Sequence, residues 1–106
     1  MAEGTENGVV TDNPDQNRYE IKLGDAVAIL VYRKHGETIN LIHTEVPESL
    51  GGHGLANKLA QFALKDAHAQ NLLVVASCPF VTAYIRRHPD YISLLTEAEK
   101  ERFTQK

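Results

Sequence analysis

At 106 residues, with 42% apolar side chains, the chain has room for one domain that buries roughly two-thirds of its unfolded surface. Its formal net charge of −3 argues against a general nucleic-acid or anionic-membrane surface, each of which needs a basic face. No apolar run reaches the ~18 residues of a membrane span, and the first residues lack the basic-then-apolar order of a signal peptide. The lone cysteine, Cys78, excludes an internal disulfide and suits a reducing, cytoplasmic setting.

Residues 1–17 are rich in Gly, Asn and Asp, with Val9-Val10 as the one apolar pair. They read as a flexible tail ahead of a single domain at 18–106. Arg18 to Leu23 alternates, setting Tyr19, Ile21 and Leu23 on one strand face, and Gly24-Asp25 supplies a turn. Ala26 to Tyr32 is almost wholly apolar, the composition of a central strand covered on both faces. Lys34-His35-Gly36-Glu37 signals a hairpin, and Thr38 to Val46 follows as the last of three antiparallel strands.

From Leu55 to about Ala69 the period turns helical. Ala56, Ala60, Ala63 and Ala67 form an apolar row beside Leu55, Leu59 and Phe62, with Asn57, Gln61, Lys65 and His68 on the wet side. Leu72 to Ala76 reads as a buried strand parallel to its predecessor, because a helix lies between them. Pro79 permits a second helix over Phe80 to about Arg87, and His88-Pro89-Asp90 breaks it. The capping-box pattern Thr96-Glu97-Ala98-Glu99 predicts a short last helix to about Phe103.

The strongest functional signal lies at the junction Glu45 to Ala56, where Gly51, Gly52 and Gly54 stand between a strand and a helix start. A helix start leaves N–H groups unpaired and carries partial positive charge, and glycine lets a bulky anion approach the backbone. Strand, glycine loop and helix together make a phosphate or pyrophosphate cradle. A purely structural helix start favours Asp or Glu in its first turn. This one has His53 before it and Lys58 within it, which suits an anion opposite. Two common phosphate loops do not fit. No lysine follows Gly54 as an NTPase loop requires, and Asn57 stands where a dinucleotide fingerprint needs its third glycine. A tight turn with no ligand is the plainer alternative.

Antiparallel strands followed by strand, glycine loop, helix, parallel strand and helix resemble a minimal form of the GCN5-related N-acetyltransferase (GNAT) fold, an α/β architecture. That family's motif, Gln/Arg-x-x-Gly-x-Gly/Ala, is met at Gly54 and Ala56, with Gly51 in place of Gln or Arg. His43-Thr44-x-Val46, Leu50 to Ala56 and Ser77-Cys78-Pro79-Phe80 are similar to the short single-domain GNAT-like group, over roughly residues 18–91. The resemblance implies that Val46, Gly51, Gly52, His53, Gly54, Leu55, Ala56, Asn57 and Lys58 hold acetyl-CoA. The loop amides would take its pyrophosphate, and Val46 would face its pantetheine arm. It further implies an acetyl-CoA-dependent N-acetyltransferase acting on a small amine or an exposed protein amine. The family's closing strands are largely missing after Tyr91, so the acceptor site is expected to be open.

Four residues carry candidate chemistry. By the resemblance, Ser77 and Cys78 lie close to the acetyl group. Cys78, at a strand end before a proline-started helix, is either a transient acetyl acceptor or thioester contact, or an inert core thiol. His43 is a candidate base for it, with a hydrogen-bonded core histidine as the alternative. Glu45 shares the His43 face if no bulge intervenes. It matches the glutamate that deprotonates the amine in many GNAT enzymes, or else is a solvated strand-end charge. Tyr84 matches the tyrosine that protonates the CoA thiolate in that family, or packs in the core. Arg86-Arg87-His88 reads as a solvated helix end. The five histidines lack i,i+2 to i,i+4 spacing, and no metal is expected. The alternative function is a non-catalytic acyl-CoA-binding module or sensor.

Overall fold

The computed structural model describes residues 9–51 and 54–104. The first half of the chain forms strands β1 (Val10–Asn13), β2 (Arg18–Leu23), β3 (Ala26–His35) and β4 (Thr38–Glu45), the last three built on apolar residues that alternate or run together. These pair antiparallel in sequence order. A 3₁₀ turn (Glu48–Leu50) and the helix α1 (Leu55–Ala69) then return the chain to β5 (Leu73–Ala76), which joins β4 in parallel. The five strands therefore lie in the order β1-β2-β3-β4-β5. Helix α2 (Pro79–Arg87), a 3₁₀ segment (Pro89–Leu94) and helix α3 (Glu97–Thr104) complete the fold.

The core lies between α1 and one face of the sheet. Leu55, Leu59, Ala60, Ala63, Leu64 and Ala67 of α1 pack with Tyr19, Ile21, Ala28, Leu30, Ile39 and Leu41 of the strands. Phe62, expected beside that row, is 36% exposed and meets Tyr19 only edge-on, with ring centroids 5.6 Å apart. The Tyr19 hydroxyl donates to Asp66 at 2.8 Å, tying β2 to α1. Burial and that carboxylate push the tyrosine's pKa up, so it stays a donor.

Three sequence expectations are corrected. First, four antiparallel strands precede the glycine loop, not three, because residues 10–13 of the expected tail form an edge strand on β2. Polar side chains hold it there: Asp12 accepts from the Tyr32 hydroxyl at 2.6 Å, and Asn13 donates to the buried Glu20 at 2.9 Å. Second, β3 is central but enclosed on one face only. Ala28, Leu30 and Tyr32 are buried, whereas Val27, Ile29 and Val31 are part-exposed on the other side. Third, the capping box forms by half. Thr96 Oγ1 accepts from the Glu99 amide at 3.2 Å, but the Thr96 amide donates to Val74 C=O at 3.1 Å.

That diversion closes the sheet. Glu99 Oε1 accepts from Ala76 N–H at 3.0 Å, and Arg102 Nη2 donates to Ala76 C=O at 2.9 Å. The pair supplies the bonds another strand would make to the free edge of β5. The Arg102 guanidinium holds the Glu99 carboxyl below its ordinary range, partial burial opposes it, and the Ala76 amide adds to the lowering.

Candidate functional site

The site is built where β4 and β5 part. Their parallel ladder runs from Thr38–Leu73 to Leu41–Ala76, and its last bond is Cys78 N–H to Leu41 C=O at 2.9 Å. Pro79 then starts α2, so the end of β4 loses its neighbour on that side. Within β4 the register to β3 jumps from Tyr32–Leu41 to Val31–His43, leaving Ile42 as a β-bulge. The bulge resets which face each later residue takes. Thr44 falls opposite buried Leu30, while His43 and Glu45 fall opposite Val31 and Ile29 on the open face.

This placement brings His43 and Glu45 together on one face, as expected, and pairs Cys78 with Thr44, which sequence did not indicate. His43 Nε2 and Glu45 Oε2 lie 2.8 Å apart, both largely exposed. Cys78 is 3% exposed, and its Sγ lies 3.2 Å from Thr44 Oγ1. Because Thr44 and His43 point to opposite sides of β4, the expected His43–Cys78 contact is not made. Tyr84 is buried on α2, its ring stacked on His88 at 4.2 Å and tilted against Tyr91 at 6.0 Å. Burial, with Tyr91 adding, raises its pKa and keeps the hydroxyl protonated at neutral pH.

Between the end of β4, the glycine loop and the first turns of α1 and α2 lies a groove of about 230 Å³. Val46, Gly51, Gly54, Leu55, Ala56 and Asn57 line it, as do Leu50 and Phe80, to which sequence reasoning gave no binding role. Phe80 had a readable signal, a large apolar residue directly after the helix-starting Pro79, and the structure leaves it 44% exposed. Gly52 and His53 lie outside the described residues. Lys58 borders a different hollow of about 380 Å³ with Val10, Gln61, Phe62 and Lys65.

The groove's polar end is the start of α1. Gly54 caps it in the left-handed region (φ 69°, ψ 25°); among the described residues no side chain caps the first amides, and no acid occupies the first turn. A Cβ added at Gly54 would meet nothing within 4 Å among the described residues. Open space beside uncapped, positively polarised amides is what a pyrophosphate needs. Gly51 has a different reason: its backbone is ordinary, but a Cβ there would lie 3.3 Å from the Glu48 carbonyl. Asn57 Oδ1 accepts from Arg87 Nη2 at 3.1 Å, linking α2 to the groove rim. Among the described residues no three His, Cys, Asp or Glu side chains form a group able to hold a metal ion, and no helix is long and apolar enough to cross a membrane.

Comparison with known proteins gives the same outline. The family described as GCN5-related N-acetyl-transferase matches residues 18–94. The chain is similar to Protein NATD1 of Xenopus tropicalis, 33% identical over 63 residues, spanning 58% of each chain. It is also similar to Protein NATD1 of Danio rerio, 28% identical over 88 residues, spanning 78% of this chain and 80% of that relative. The NMR solution structure of a GCN5-like candidate N-acetyltransferase from Staphylococcus aureus superposes with a TM-score of 0.66 at 28% identity. That match covers 85% of this chain and 89% of the other. Five-stranded sheet, glycine-headed helix and family match agree: the chain belongs to the GCN5-related N-acetyltransferase family.

Proposed function

We propose that the chain binds acetyl-CoA in the groove headed by Gly54 and transfers the acetyl group to an amine. The observation that carries this reading is the uncapped, acid-free start of α1, opening on empty space where a Cβ would stand. The amides of Leu55, Ala56 and Asn57 receive the pyrophosphate, and Val46, Leu50 and Phe80 offer apolar walls to the pantetheine arm. The thioester then reaches the parted end of β4.

The acceptor, a small amine or an exposed protein amine, arrives on the open sheet face beside His43 and Glu45. Its nitrogen attacks the thioester carbonyl carbon, a C–N bond forms and the C–S bond breaks. The Glu45–His43 pair takes the proton from nitrogen, and the departing thiolate gains one from solvent. Direct transfer fits this site better than a covalent thiol intermediate, because the Cys78 thiol is enclosed and, among the described residues, its side-chain partner is Thr44 and not a base. A free buried thiol and a CoA donor both fit a cytoplasmic setting.

The enclosed thiol also favours a second reading, an acyl-CoA sensor without turnover. Calorimetric titration with acetyl-CoA, followed by mass spectrometry of amine panels, separates the two. Saturable binding with acetylated product supports the transferase, and binding with no product on any amine supports the sensor. No binding at millimolar donor sinks both.

A further inference from the structure

The contact between Thr44 and Cys78 has no part in the transfer step above, and it lies just inward of two of the groove's walls. Two residues beyond Thr44 stands Val46, and two beyond Cys78 stands Phe80, both walls of the groove. In the other direction, the Cys78 amide is already bonded to Leu41 C=O. The gap between β4 and α2 thus narrows in three steps: groove walls, side-chain contact, backbone hydrogen bond. Thr44 Oγ1 and Cys78 Sγ, 3.2 Å apart, close it.

The closure is firm. Leu30, opposite Thr44 on the same face, and Leu41 are fully buried, as is Val81 on the first turns of α2. A pair backed by a packed core cannot retreat without opening a void or displacing neighbours. Both side chains are small, so the stop is set at a short distance from the groove. We propose that the Thr44–Cys78 contact is the floor of the acyl site and restricts the donor to a two-carbon acyl group. This inference rests on the donor binding in the groove. It makes Thr44 a specificity-determining residue through its volume and its position after the bulge, with no role in proton transfer.

The test compares binding of CoA, acetyl-CoA, propionyl-CoA and butyryl-CoA to the full chain by calorimetry. The wild type is expected to weaken about tenfold or more between acetyl and butyryl, the range one or two misplaced methylenes command. Thr44→Ala opens the floor and should reduce that difference to about threefold or less. Thr44→Val keeps the volume without the hydroxyl and should retain the wild-type ratio. Cys78→Ala opens the same spot from α2 and serves if Thr44→Ala unfolds. Equal affinity of the wild type for all three acyl donors overturns the floor while leaving the donor site standing. So does an unchanged ratio in both alanine variants. Loss of the ratio in Thr44→Val assigns the effect to the hydroxyl and overturns the volume argument. Absence of CoA binding itself removes the donor site, and the floor with it.

Discussion

Gly54 and Gly36 make a matched pair of perturbations. Both lie in the left-handed region, at φ 69° and 61°, and a Cβ at either meets nothing within 4 Å. Alanine at either position therefore carries the same penalty, a left-handed backbone of roughly 1–2 kcal/mol, with no clash added. In a domain of this size that lowers Tm by about 5–15 °C. The two differ only in place. Gly36 turns the β3–β4 hairpin, and the eight residues of β4 put about 25 Å between it and the groove. Gly54 lines the groove. Below both melting temperatures, Gly54→Ala should weaken acetyl-CoA binding at least tenfold in calorimetry, about 1.4 kcal/mol, while Gly36→Ala binds as wild type. A thermal check runs alongside: donor at ~100 times Kd adds about 2.7 kcal/mol, and that gain should survive in Gly36→Ala and fall to about 1.4 kcal/mol or less in Gly54→Ala at the same donor concentration. Wild-type affinity in Gly54→Ala, or equal losses in the two variants, would refute the argument that these amides hold the donor.

Three further outcomes follow from the geometry. Glu45→Gln should lower the acetylation rate by about 10²–10⁴-fold, the usual range for a general base, with the donor Kd unchanged in calorimetry. Tyr84→Phe should leave transfer near wild type, since the ring packs on His88 and Tyr91 and makes no hydroxyl hydrogen bond among the described residues; a large fall in rate would restore Tyr84 as the acid. Glu99, whose carboxyl is held below its ordinary value of 4.5 mainly by Arg102, contributes stability that is present above that value and lost as pH falls through its lowered folded value. Glu99→Gln should thus cost about 1 kcal/mol at neutral pH and flatten the acid limb of urea-melt stability as pH falls below the ordinary carboxylate range.

Much of the fold was legible because local signals and tertiary packing agreed. The alanine row of α1 and the proline that opens α2 each mark an element whose burial pattern matches its sequence period; the apolar run before Ser77 marks β5, but the buried strand expected there is covered on one face only, with Leu73 exposed. The edge strand β1 was not legible. Its one inward apolar residue is Val10, and it is held by Tyr32–Asp12 and Asn13–Glu20 bonds between segments that no local pattern connects. Glu99 looked like a capping residue because its spacing from Thr96 is right, but the unpaired amide of Ala76 claims its side chain.

The groove was legible from its glycines, although sequence could not assign one to a left-handed backbone and another to a tight approach. The arrangement of His43, Thr44, Glu45 and Cys78 turned on the bulge at Ile42, one unpaired residue in an otherwise regular strand. Nothing in that apolar stretch announces it, and it decides which side chain meets the thiol.

The most direct measurement is an amide NMR titration of the ¹⁵N-labelled chain with CoA and acetyl-CoA. The account predicts that the largest saturable shifts fall on Val46, Gly51, Gly54, Leu55, Ala56, Asn57 and Phe80, with Gly36 unmoved. Shifts centred instead on the hollow of about 260 Å³ lined by Lys65, His68, Asp90 and Tyr91, or no shifts at millimolar donor, would contradict it.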